Sequence, residues 1–456
     1  MTSRRDQLQS YQFMNQRVIS AFVMRETDPA QSPLRRGIGA LFGGLMVALL
    51  IAAGFGIYGV LTRTGPDQWQ TDGSVVVERE TGASFVYLRD RLHPALNFTS
   101  AKLAAGRPNP RVYRVSAKSL IDVPRGVTIG IAGAPASLPD PKQQVRLPWT
   151  MCAAPGADIA SVLLVASAGP AGDPLGDRAL LVAGDPAGGV NLIWQGRKHL
   201  IRNARVTVPA LFGAAQPTPV PVAWLNTLPA GADIAPADVN GRGDNSDAVD
   251  GFDNGDVLFT ETASGRQFYL VLNDRLAPIT ALQQAVLNAA SPGDPQEISV
   301  NDLSRFPVQN LDPPANPDPS ADPSVLGPAT VPTLSAIGQN QAACAITRDA
   351  AAPPEVTTAV PVAALSAAVP TGGGRTLADA VQVPAGRFEL VKAAGGLQLI
   401  TDSGVRHALA DPDVAALLGY RPEDAISIPT QLLNTIPEGV TLDPAKALTP
   451  APPTAE

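Results

Sequence analysis

An apolar run without a single charged residue occupies positions 38–61 and constrains this chain more than any other feature. If the run is helical, a rise of about 1.5 Å per residue gives it a length of about 36 Å, enough to cross a hydrocarbon core of about 30 Å with some tilt. A continuous helix satisfies the backbone of such a run inside a bilayer. We therefore predict one transmembrane helix at 37–62, preceded by a short head at 1–36.

The arginines around this run predict its orientation. Arg35 and Arg36 stand directly before it and four more lie upstream, whereas Arg63 is the one basic residue between the run and Arg79. Because basic residues are retained on the cytoplasmic side, we expect a single-pass protein of the cell (inner) membrane with a cytoplasmic N-terminus and a periplasmic, extracytoplasmic bulk. A cleaved signal peptide is the alternative, but the head is long and the run exceeds the roughly 7–15 residues of a usual h-region.

Small residues recur at every fourth position of the run, which would let a second helix approach closely. They are Ala40, Gly44, Ala48, Ala52 and Gly56. The alternative is that Gly and Ala are simply common in membrane helices of this composition. We favour a packing face.

The head carries an apolar stripe with spacings of three and four residues, typical of one face of an amphipathic helix. The stripe consists of Leu8, Tyr11, Met14, Val18 and Phe22. A head of this length cannot bury a core of its own. We therefore expect the stripe to lie on membrane lipid or on a partner protein.

Beyond the membrane run, four segments share one pattern: a short apolar strand, a polar turn, a helix-like stretch, and a hydrophobic residue shortly before a proline. The segments lie at 75–126, 188–232, 256–308 and 386–440, and the prolines are Pro124, Pro229, Pro307 and Pro437. Residues 225–229 read LNTLP and residues 433–437 read LNTIP. Repeats this small are not stable alone, so we expect them to pack as pairs or in a row, with the first and second on one side and the third and fourth on the other.

Two inserts separate these repeats and hold one cysteine each. Residues 127–187 contain Cys152 and the strand-like runs VTIGIAGAP, SVLLVAS and RALLVAG, and residues 333–385 contain Cys344 and VTTAVPVAAL. In a reducing compartment the cysteines would be two buried thiols. Outside the cytoplasm an isolated pair more often forms a disulfide, which would join the inserts into one central domain.

The predicted fold class is α+β. A single N-terminal transmembrane helix precedes an elongated extracytoplasmic region of four small α/β repeats that flank a split β-rich central domain. With 41 glycines and 45 prolines, the chain is expected to have many turns and short ordered pieces, which disfavours a helical bundle. Residues 309–332 are predicted to form a Pro-rich extended linker, and residues 441–456 a disordered tail.

No catalytic constellation is evident in the sequence. The phosphate-loop pattern G-x-x-x-x-G-K-[ST], the G-x-S-x-G elbow and the zinc pattern H-E-x-x-H are absent. His93, His199 and His407 fall at turns of three different repeats, which favours a structural position shared by the repeats. We expect no cofactor and no metal centre, and the net charge of −7 argues against nucleic acid.

One acidic loop deserves a separate hypothesis. Carboxylates recur at Asp244, Asp247, Asp250, Asp253 and Asp256 in a Gly-containing segment. Hard oxygen ligands of this kind could hold Ca²⁺, but the spacing differs from the EF-hand pattern and the terminal glutamate is missing. A solvated acidic loop is the favoured interpretation, with calcium as the alternative.

Several stretches resemble EccB, a membrane component of the actinobacterial type VII (ESX) secretion system. They are Tyr11-Gln12-Phe13; the run from Ser84 to Ala136, with SFVYLRDRLHPALNFTSAKLAAGRPNP and VPRGVTIGIAGAP; and Trp149-Thr150-Met151-Cys152. The resemblance extends more weakly along the whole chain. It implies a structural subunit that assembles with the EccC-type FtsK-like ATPase, with EccD and with EccE, lies near the mycosin protease, and forms a homodimer through its extracytoplasmic part.

The leading functional hypothesis is therefore a non-catalytic subunit of a secretion complex. Some family members are described as ATPases, but nothing in this sequence supports that activity, and an extracytoplasmic domain has no ready supply of ATP. The alternative is a membrane-anchored cell-envelope module that binds peptidoglycan through its small repeats. A hydrolase is the third hypothesis, for which no set of residues can be nominated.

Overall fold

The computed structural model describes residues 3–25, 34–61, 68–185, 189–263, 265–312, 324–365, 368–372, 374–393 and 395–451. These residues divide into two units. One comprises the chain up to Thr71 together with 118–121, and the other comprises the remainder.

The first unit contains two helices, α1 at Arg4–Met24 and α2 at Leu34–Leu61. A capping box begins α1, in which the Ser3 side chain accepts from the helix backbone and the Asp6 carboxylate accepts from the Ser3 N–H. Within α2, residues Gly37–Tyr58 are long and apolar enough to cross a membrane, in agreement with the predicted span.

The second unit is rich in β-structure. In chain order its elements are β1 Ser74–Glu78, β2 Ser84–Leu88, β3 Arg91–Ala95, α3 Phe98–Ala104, β4 Val112–Val115, β5 Trp149–Ala153, β6 Ser161–Leu164, β7 Asp173–Pro174, β8 Ala179–Asp185, β9 Val190–Trp194, β10 Arg197–Leu200, α4 Ala204–Phe212, β11 Thr218–Pro221 and α5 Val222–Thr227.

The second half continues with a similar alternation. Its elements are β12 Val257–Thr262, β13 Gly265–Val271, β14 Leu276–Ile279, α6 Ala281–Ala290, β15 Gln296–Glu297, α7 Val300–Leu303, β16 Leu334–Ser335, β17 Gln341–Thr347, β18 Glu355–Pro361, β19 Val369–Pro370, β20 Ala380–Gln382, β21 Phe388–Ala393, β22 Gly396–Thr401, β23 Arg406–Ala408, α8 Val414–Leu418, β24 Ile426–Ser427, α9 Thr430–Leu433 and α10 Pro444–Ala447. Short 3-10 turns lie at Ala117–Leu120, Pro141–Gln143, Val362–Leu365 and Pro422–Asp424.

Four sheets share one topology, and we call each of them, with its helix, a module. Module 1 contains β1–β4, module 2 contains β8–β11, module 3 contains β12–β15 and module 4 contains β21–β24. The short strand β16, which was predicted to belong to the second insert, pairs instead with β8 of module 2. In each, three antiparallel strands are followed by a helix, and a fourth strand runs parallel to the first. The helix is the crossover that a parallel strand pair requires.

The proline that closes each sequence pattern has the same structural role in every module. A helical turn follows the fourth strand, and the carbonyl oxygen of the proline then accepts a hydrogen bond from the N–H of a third-strand residue. The donors and acceptors are Leu92 and Pro124 at 2.8 Å, Lys198 and Pro229 at 3.0 Å, Leu276 and Pro307 at 2.8 Å, and Arg406 and Pro437 at 3.0 Å. The proline therefore sits where its missing N–H costs nothing and its carbonyl is used.

A histidine follows this third-strand residue in modules 1, 2 and 4. Its ring Nδ1–H donates to a backbone carbonyl oxygen, from His93 to Val127 at 3.1 Å, from His199 to Ala232 at 2.8 Å and from His407 to Val440 at 3.0 Å. A glycine lies against each ring. A Cβ on Gly126, Gly231 or Gly439 would stand 2.2, 2.4 or 2.5 Å from the ring carbon Cε1, closer than packed atoms approach.

Module 3 has neither the histidine nor the glycine. Ala277 occupies the histidine position, and Gln309 occupies the glycine position, because Gln309 N–H donates to Leu276 as Gly439 N–H donates to Arg406. The ring and the glycine thus occur together in modules 1, 2 and 4, whereas module 3 has the buried Ala277 at the ring position and the exposed Gln309 at the glycine position. The structure thereby explains the equivalent placement of the three histidines.

This complementarity gives a testable expectation for module 4. Gly439→Gln alone should destabilise the protein by about 1–3 kcal/mol through overpacking against His407, whereas His407→Ala combined with Gly439→Gln should recover part of that loss. Denaturant unfolding of each single variant and the double variant measures the interaction. Gly293→Gln is the control, since a Cβ there meets no atom within 4 Å. Simple additivity of the two single effects would contradict a direct packing contact between His407 and position 439.

The modules pack in pairs, but the pairing differs from the one predicted. Module 1 packs on module 4, where Leu103 of α3 shares a core with Leu418 of α8 and Ala447 of α10. Lys102 Nζ also donates to the Leu418 carbonyl at 2.6 Å and caps α8. Module 2 packs on module 3 through α4 and α6. The prediction that module 1 lies with module 2, and module 3 with module 4, was therefore wrong. The apolar faces of the crossover helices determine which modules pack together.

Two strand-like runs assigned to the first insert belong elsewhere. RALLVAG supplies β8, the first strand of module 2, so that module begins before the predicted boundary at 188. VTIGIAGAP, which is fully described, contains no strand beyond isolated bridges from Ile129 to Ala95 and Pro450. Ile129 is buried in the core shared by modules 1 and 4. An apolar run of this length is compatible with a strand or with buried irregular chain, and here its burial against modules 1 and 4 leaves it irregular.

The predicted disordered tail is also wrong for residues 441–451. Leu442 and Ala447 are fully buried in the core of modules 1 and 4, and the Ala451 N–H donates to the Thr128 carbonyl at 2.9 Å. These apolar residues order a segment that its prolines and alanines had made to look solvated. Residues 452–456 lie outside the described part. Within the predicted linker, 313–323 are likewise outside it, and Val325 accepts from the Ala232 N–H at 2.9 Å.

Candidate functional site

A seven-stranded sheet is built from both inserts, in the order β19-β20-β6-β5-β17-β18-β7. Strands β5 and β17 are antiparallel neighbours, and Cys152 stands directly opposite Cys344. Both cysteines are buried and their Sγ atoms are bonded, with the Cα atoms 4.0 Å apart. The disulfide therefore joins the two inserts in one sheet, as the sequence suggested.

This sheet is apolar on both faces. The face that carries the disulfide is formed by Cys152, Ala154, Val162, Leu164, Ala342, Cys344 and Val360. The opposite face, with Trp149 and Met151 at its centre, packs against α5 of module 2 and α9 of module 4. The modules therefore cover that face of the sheet.

The repeated LNTLP and LNTIP sequences belong to α5 and α9. The Thr227 hydroxyl donates to the Trp224 carbonyl at 2.7 Å, and the Thr435 hydroxyl donates to the Leu432 carbonyl at 2.7 Å. The residues that follow the threonines, Leu228 and Ile436, are buried against the central sheet. The near-identity of the two sequences thus reflects the same packing on the two halves of one sheet.

Removing the disulfide should lower the free energy of unfolding without changing the fold. The two cysteines are 192 residues apart, and the chain-entropy relation gives a loop of this size about 5 kcal/mol. Cys152→Ala with Cys344→Ala should lower the denaturation midpoint of the full chain accordingly. Reductant should shift the wild-type curve toward that of the double variant and leave the double variant unchanged. An identical midpoint for all samples would contradict the assignment of a stabilising role.

The acidic loop is folded, and it is not an open acidic coil. The Ser246 side chain is buried and donates to the Leu272 carbonyl at 2.7 Å, and the Asn254 N–H donates to the Asp244 carbonyl at 2.8 Å. Asn273 Nδ2 donates to the Asp247 carboxylate at 2.9 Å. Backbone and amide groups thus hold the loop against the β13–β14 turn of module 3.

The calcium alternative finds no support in this geometry. Among the described residues, which include the whole loop, no three His, Cys, Asp or Glu side chains converge as metal ligands would. Asp244, Asp247, Asp250 and Asp253 are exposed, and the Asp256 carboxylate accepts from the Asp253 N–H at 3.0 Å. The carboxylates are therefore spread along the loop surface.

One surface cavity of about 270 Å³ lies between the central sheet and module 2. It is lined in part by Ser161, Asp379, Arg375 and Pro219. The Ser161 hydroxyl donates to the Asp379 carboxylate at 2.9 Å and accepts from the Asp379 N–H at 3.0 Å. Both capacities of this hydroxyl are used in tying β6 to the segment before β20, and no histidine lines the cavity, so the pair is a structural clasp and not an activated nucleophile.

Sequence reasoning missed a buried carboxyl group on β21. Glu389 is fully buried, and desolvation raises its pKa to about 8, against the smaller opposing effects of the Gln144 hydrogen bond and the Arg146 charge. Gln144 Nε2 donates to Oε1 at 3.2 Å, while Oε2 has no partner among the described atoms. The group is therefore protonated at neutral pH. It lies on the short strand FELVKA, in which the alternation of apolar and polar residues does not predict that the glutamate faces the core.

The buried histidines titrate in the opposite sense. Burial lowers the pKa of His199 and of His407, so each is neutral when folded at pH 7. Because the unfolded chain binds protons more readily than these sites do, their contribution to stability is present above the unfolded pKa and is lost as the pH falls toward the folded pKa.

Glu389 has the reverse linkage, which makes it separately measurable. Its folded pKa lies above the unfolded value, so the folded state binds the extra proton and stability declines as the pH rises from about 5 to 8, by up to about 1.4 kcal/mol per pH unit. Glu389→Gln should remove this decline, so its advantage over wild type should grow with pH in denaturation experiments. Exposed Glu297→Gln is the control. A constant difference at all pH values would contradict the buried-acid assignment.

The side chains predicted to contact partners in the first unit are exposed. Leu8, Tyr11, Met14, Val18 and Phe22 all lie on α1 with more than half of each side chain accessible. On α2, a Cβ placed on Gly44 or Gly56 would meet no atom within 4 Å, so the small-residue stripe is open. The backbone of Arg35 and Arg36 is helical, and their side chains lie outside the described part.

A model of one protein family matches nearly the entire chain. The family described as type VII secretion system ESX-1, transport TM domain B, matches residues 1–452. The chain is 29% identical to the ESX-5 secretion system ATPase EccB5 of Mycobacterium tuberculosis, over 98% of this chain and 93% of that protein. It is 26% identical to the ESX-1 secretion system ATPase EccB1 of Mycolicibacterium smegmatis, over 97% and 94% of the two chains.

Solved structures share the fold at lower identity. A chain of an intact ESX-5 inner membrane complex superposes with a TM-score of 0.66 at 24% identity, covering 100% of this chain and 96% of that one. A chain of the EccB3 dimer from the ESX-3 core complex gives a TM-score of 0.63 at 23% identity, covering 82% and 100%.

Proposed function

Because this chain belongs to the EccB family of type VII secretion components, we propose that it is a non-catalytic structural subunit of an ESX membrane complex. The family match over residues 1–452 carries this proposal, since it includes α1, α2 and all four modules. The family is a component of ESX secretion membrane complexes. The subunit would link a cytoplasmic ATPase assembly to an extracytoplasmic assembly that dimerises and supports protein export.

Charge and redox chemistry support the proposed orientation. The arginines before α2 favour a cytoplasmic N-terminus. A stabilising disulfide in the second unit is typical of an oxidising compartment and favours an extracytoplasmic position for the modules. One related structure describes a periplasmic assembly from the ESX-5 inner membrane complex, which supports the same placement.

The proposed partners are an EccC-type FtsK-like ATPase, EccD, EccE, a mycosin protease and a second copy of this chain. The solved EccB3 dimer supports self-association, and the ESX-5 inner membrane complex supports membership of a larger assembly. Exposed α1 and the open stripe of α2 are suited to contacts on the membrane side of such an assembly.

Relatives of this chain are named ATPases, but this chain has few of the features that bind and hydrolyse ATP. The sequence contains no phosphate-loop pattern. In the described part of the chain, the cavity beside Ser161 is lined by a self-satisfied Ser–Asp pair and one arginine, without the lysine–hydroxyl pair that holds a nucleotide phosphate and its magnesium. We propose that ATP hydrolysis in the complex resides in its FtsK-like partner.

The proposal is tested by co-purification from membranes of the organism that produces the protein. Tagged full-length chain should be recovered in a large complex that contains the FtsK-like ATPase. Recovery as a free monomer, or retention on insoluble peptidoglycan instead, would replace the proposal with the cell-envelope alternative.

The α2 stripe can be tested within the same purification. Gly44→Leu with Ala48→Leu should lower the yield of the complex severalfold, because two large side chains would hold a neighbouring helix away, while membrane insertion is unaffected. Leu45→Ala with Leu49→Ala is a matched control on other faces of the same helix. Equal recovery of complex from the stripe variant and from the wild type would exclude this helix face as a contact.

A further inference from the structure

Charge is distributed unequally between the modules. Residues 72–126, which contain module 1, hold nine basic and five acidic side chains, a net charge of +4 in a chain whose total is −7. Residues 241–312, which contain module 3 and the acidic loop, hold four basic and eleven acidic side chains, a net charge of −7. Two modules of the same topology therefore carry opposite charge, so the fold itself does not require the arginines of module 1.

The arginines concentrate at one end of the module 1 sheet. Arg89 and Arg91 flank the β2–β3 turn, and Arg107 and Arg111 lie in the segment that enters β4. All four are exposed. We call these four residues the arginine end.

Short contacts bring the arginine end together around the beginning of β1. The Arg89 N–H donates to the Asp72 carboxylate at 2.7 Å, and the Arg107 guanidinium donates to the Asp72 carbonyl. The Val75 N–H donates to the Arg111 carbonyl at 3.0 Å. Arg89, Arg107 and Arg111 therefore contact residues 72–75, where the chain enters module 1, while Arg91 lies on β3 and its guanidinium donates to the Arg125 carbonyl at 3.4 Å.

Most of this charge is not neutralised within the protein. Among the described residues, no carboxylate lies within ion-pair distance of Arg89, Arg91 or Arg111. The segment between Arg107 and Arg111 contains two prolines and is fixed by the Asn109 N–H, which donates to the Ala416 carbonyl at 2.9 Å. Asp72 and Asp90 lie at the same end, and four guanidinium groups against these two carboxylates still leave it positively charged and suited to anionic oxygens.

The link between α2 and β1 indicates which anionic group the arginine end binds. Residues 62–73 join the end of α2 to β1, so the chain leaves the membrane helix and enters the folded unit at the arginine end. Phosphate headgroups of anionic lipids are the dense anionic surface at the end of a membrane helix, and guanidinium pairs with phosphate in a bidentate way. We propose that the arginine end of module 1 binds the headgroups of anionic phospholipids in the leaflet from which α2 emerges.

This role would hold module 1 at the bilayer surface. It rests on the anchoring of the chain by α2, which belongs to the proposed function, and not on which side of the membrane the modules occupy. Module 1 carries its own control: Arg79 and Arg114 are exposed at the other end of the same sheet, where the Arg79 Nε donates to the Arg114 carbonyl at 3.0 Å.

The test uses the full chain in nanodiscs of phosphatidylcholine or of phosphatidylcholine with phosphatidylglycerol, each containing a headgroup-attached fluorescence quencher. A dye is attached to Pro108→Cys at the arginine end or to Ala83→Cys at the other end, both exposed positions; none of the described cysteines is free, so the dye reacts at the new thiol. Phosphatidylglycerol should increase quenching at Pro108→Cys, salt should reverse the increase, and Ala83→Cys should not respond.

Charge removal provides the decisive comparison. Arg89→Gln with Arg111→Gln should lower the ratio of bound to free states about 30-fold, corresponding to about 1 kcal/mol for each arginine, and so abolish the lipid-dependent quenching. Arg79→Gln with Arg114→Gln should leave the quenching intact.

The outcomes that would overturn the proposal are distinct from a failure of the anchor. Equal quenching at Pro108→Cys in both lipid mixtures, or an equal loss in both arginine pairs, would exclude an anionic-lipid site. An effect of Arg89→Gln with Arg111→Gln on self-association alone, without lipid dependence, would assign the arginine end to a second copy. Absence of quenching at both labels in every nanodisc would instead show that α2 does not anchor the chain, and would count against the proposed function itself.

Discussion

The pairing of β5 with β17 is the interaction on which the rest of the second unit depends. Neither insert can form a stable sheet alone, because each supplies only a few short strands. Side by side, they bury both faces of a seven-stranded sheet, and the Cys152–Cys344 bond secures the pair across 192 residues of chain. The helices α5 and α9 then find a common apolar surface, so modules 2 and 4 are positioned by a contact that is remote in sequence.

The modules themselves depend on local rules that recur along the chain. A proline carbonyl receives the third strand, and a histidine fills the space left by a glycine. Module 3 keeps the backbone hydrogen bonds and exchanges the side chains, with Ala277 and Gln309 in place of the pair. The four modules therefore share the backbone hydrogen bonds and not the histidine, which indicates that histidine chemistry is not required by the fold. Burial lowers the pKa of His199 and of His407, which agrees with a packing role for these rings.

These features suit a protein whose surfaces do the functional work. Several buried polar groups hold segments together, as in the Ser161–Asp379 clasp and the Lys102 contact with α8. The modules differ in their surfaces. Arginines lie at the beginning of the first strand of module 1, whereas a folded acidic loop covers the equivalent end of module 3. A shared interior with divergent exteriors lets one topology contact different neighbours within an assembly.

The sequence by itself determined the apolar helix, the head helix, the pattern of the four modules and the candidate disulfide. Each of these is expressed in local composition or in a spacing that a single element imposes. It did not determine that module 1 would pack on module 4, that RALLVAG would begin a module, or that Leu442 and Ala447 would order the tail. Glu389 was missed for the same reason, since burial is a property of what surrounds a residue. Only the tertiary structure decides which apolar faces meet, because many short amphipathic elements offer similar faces and the choice among them depends on the fit of the whole.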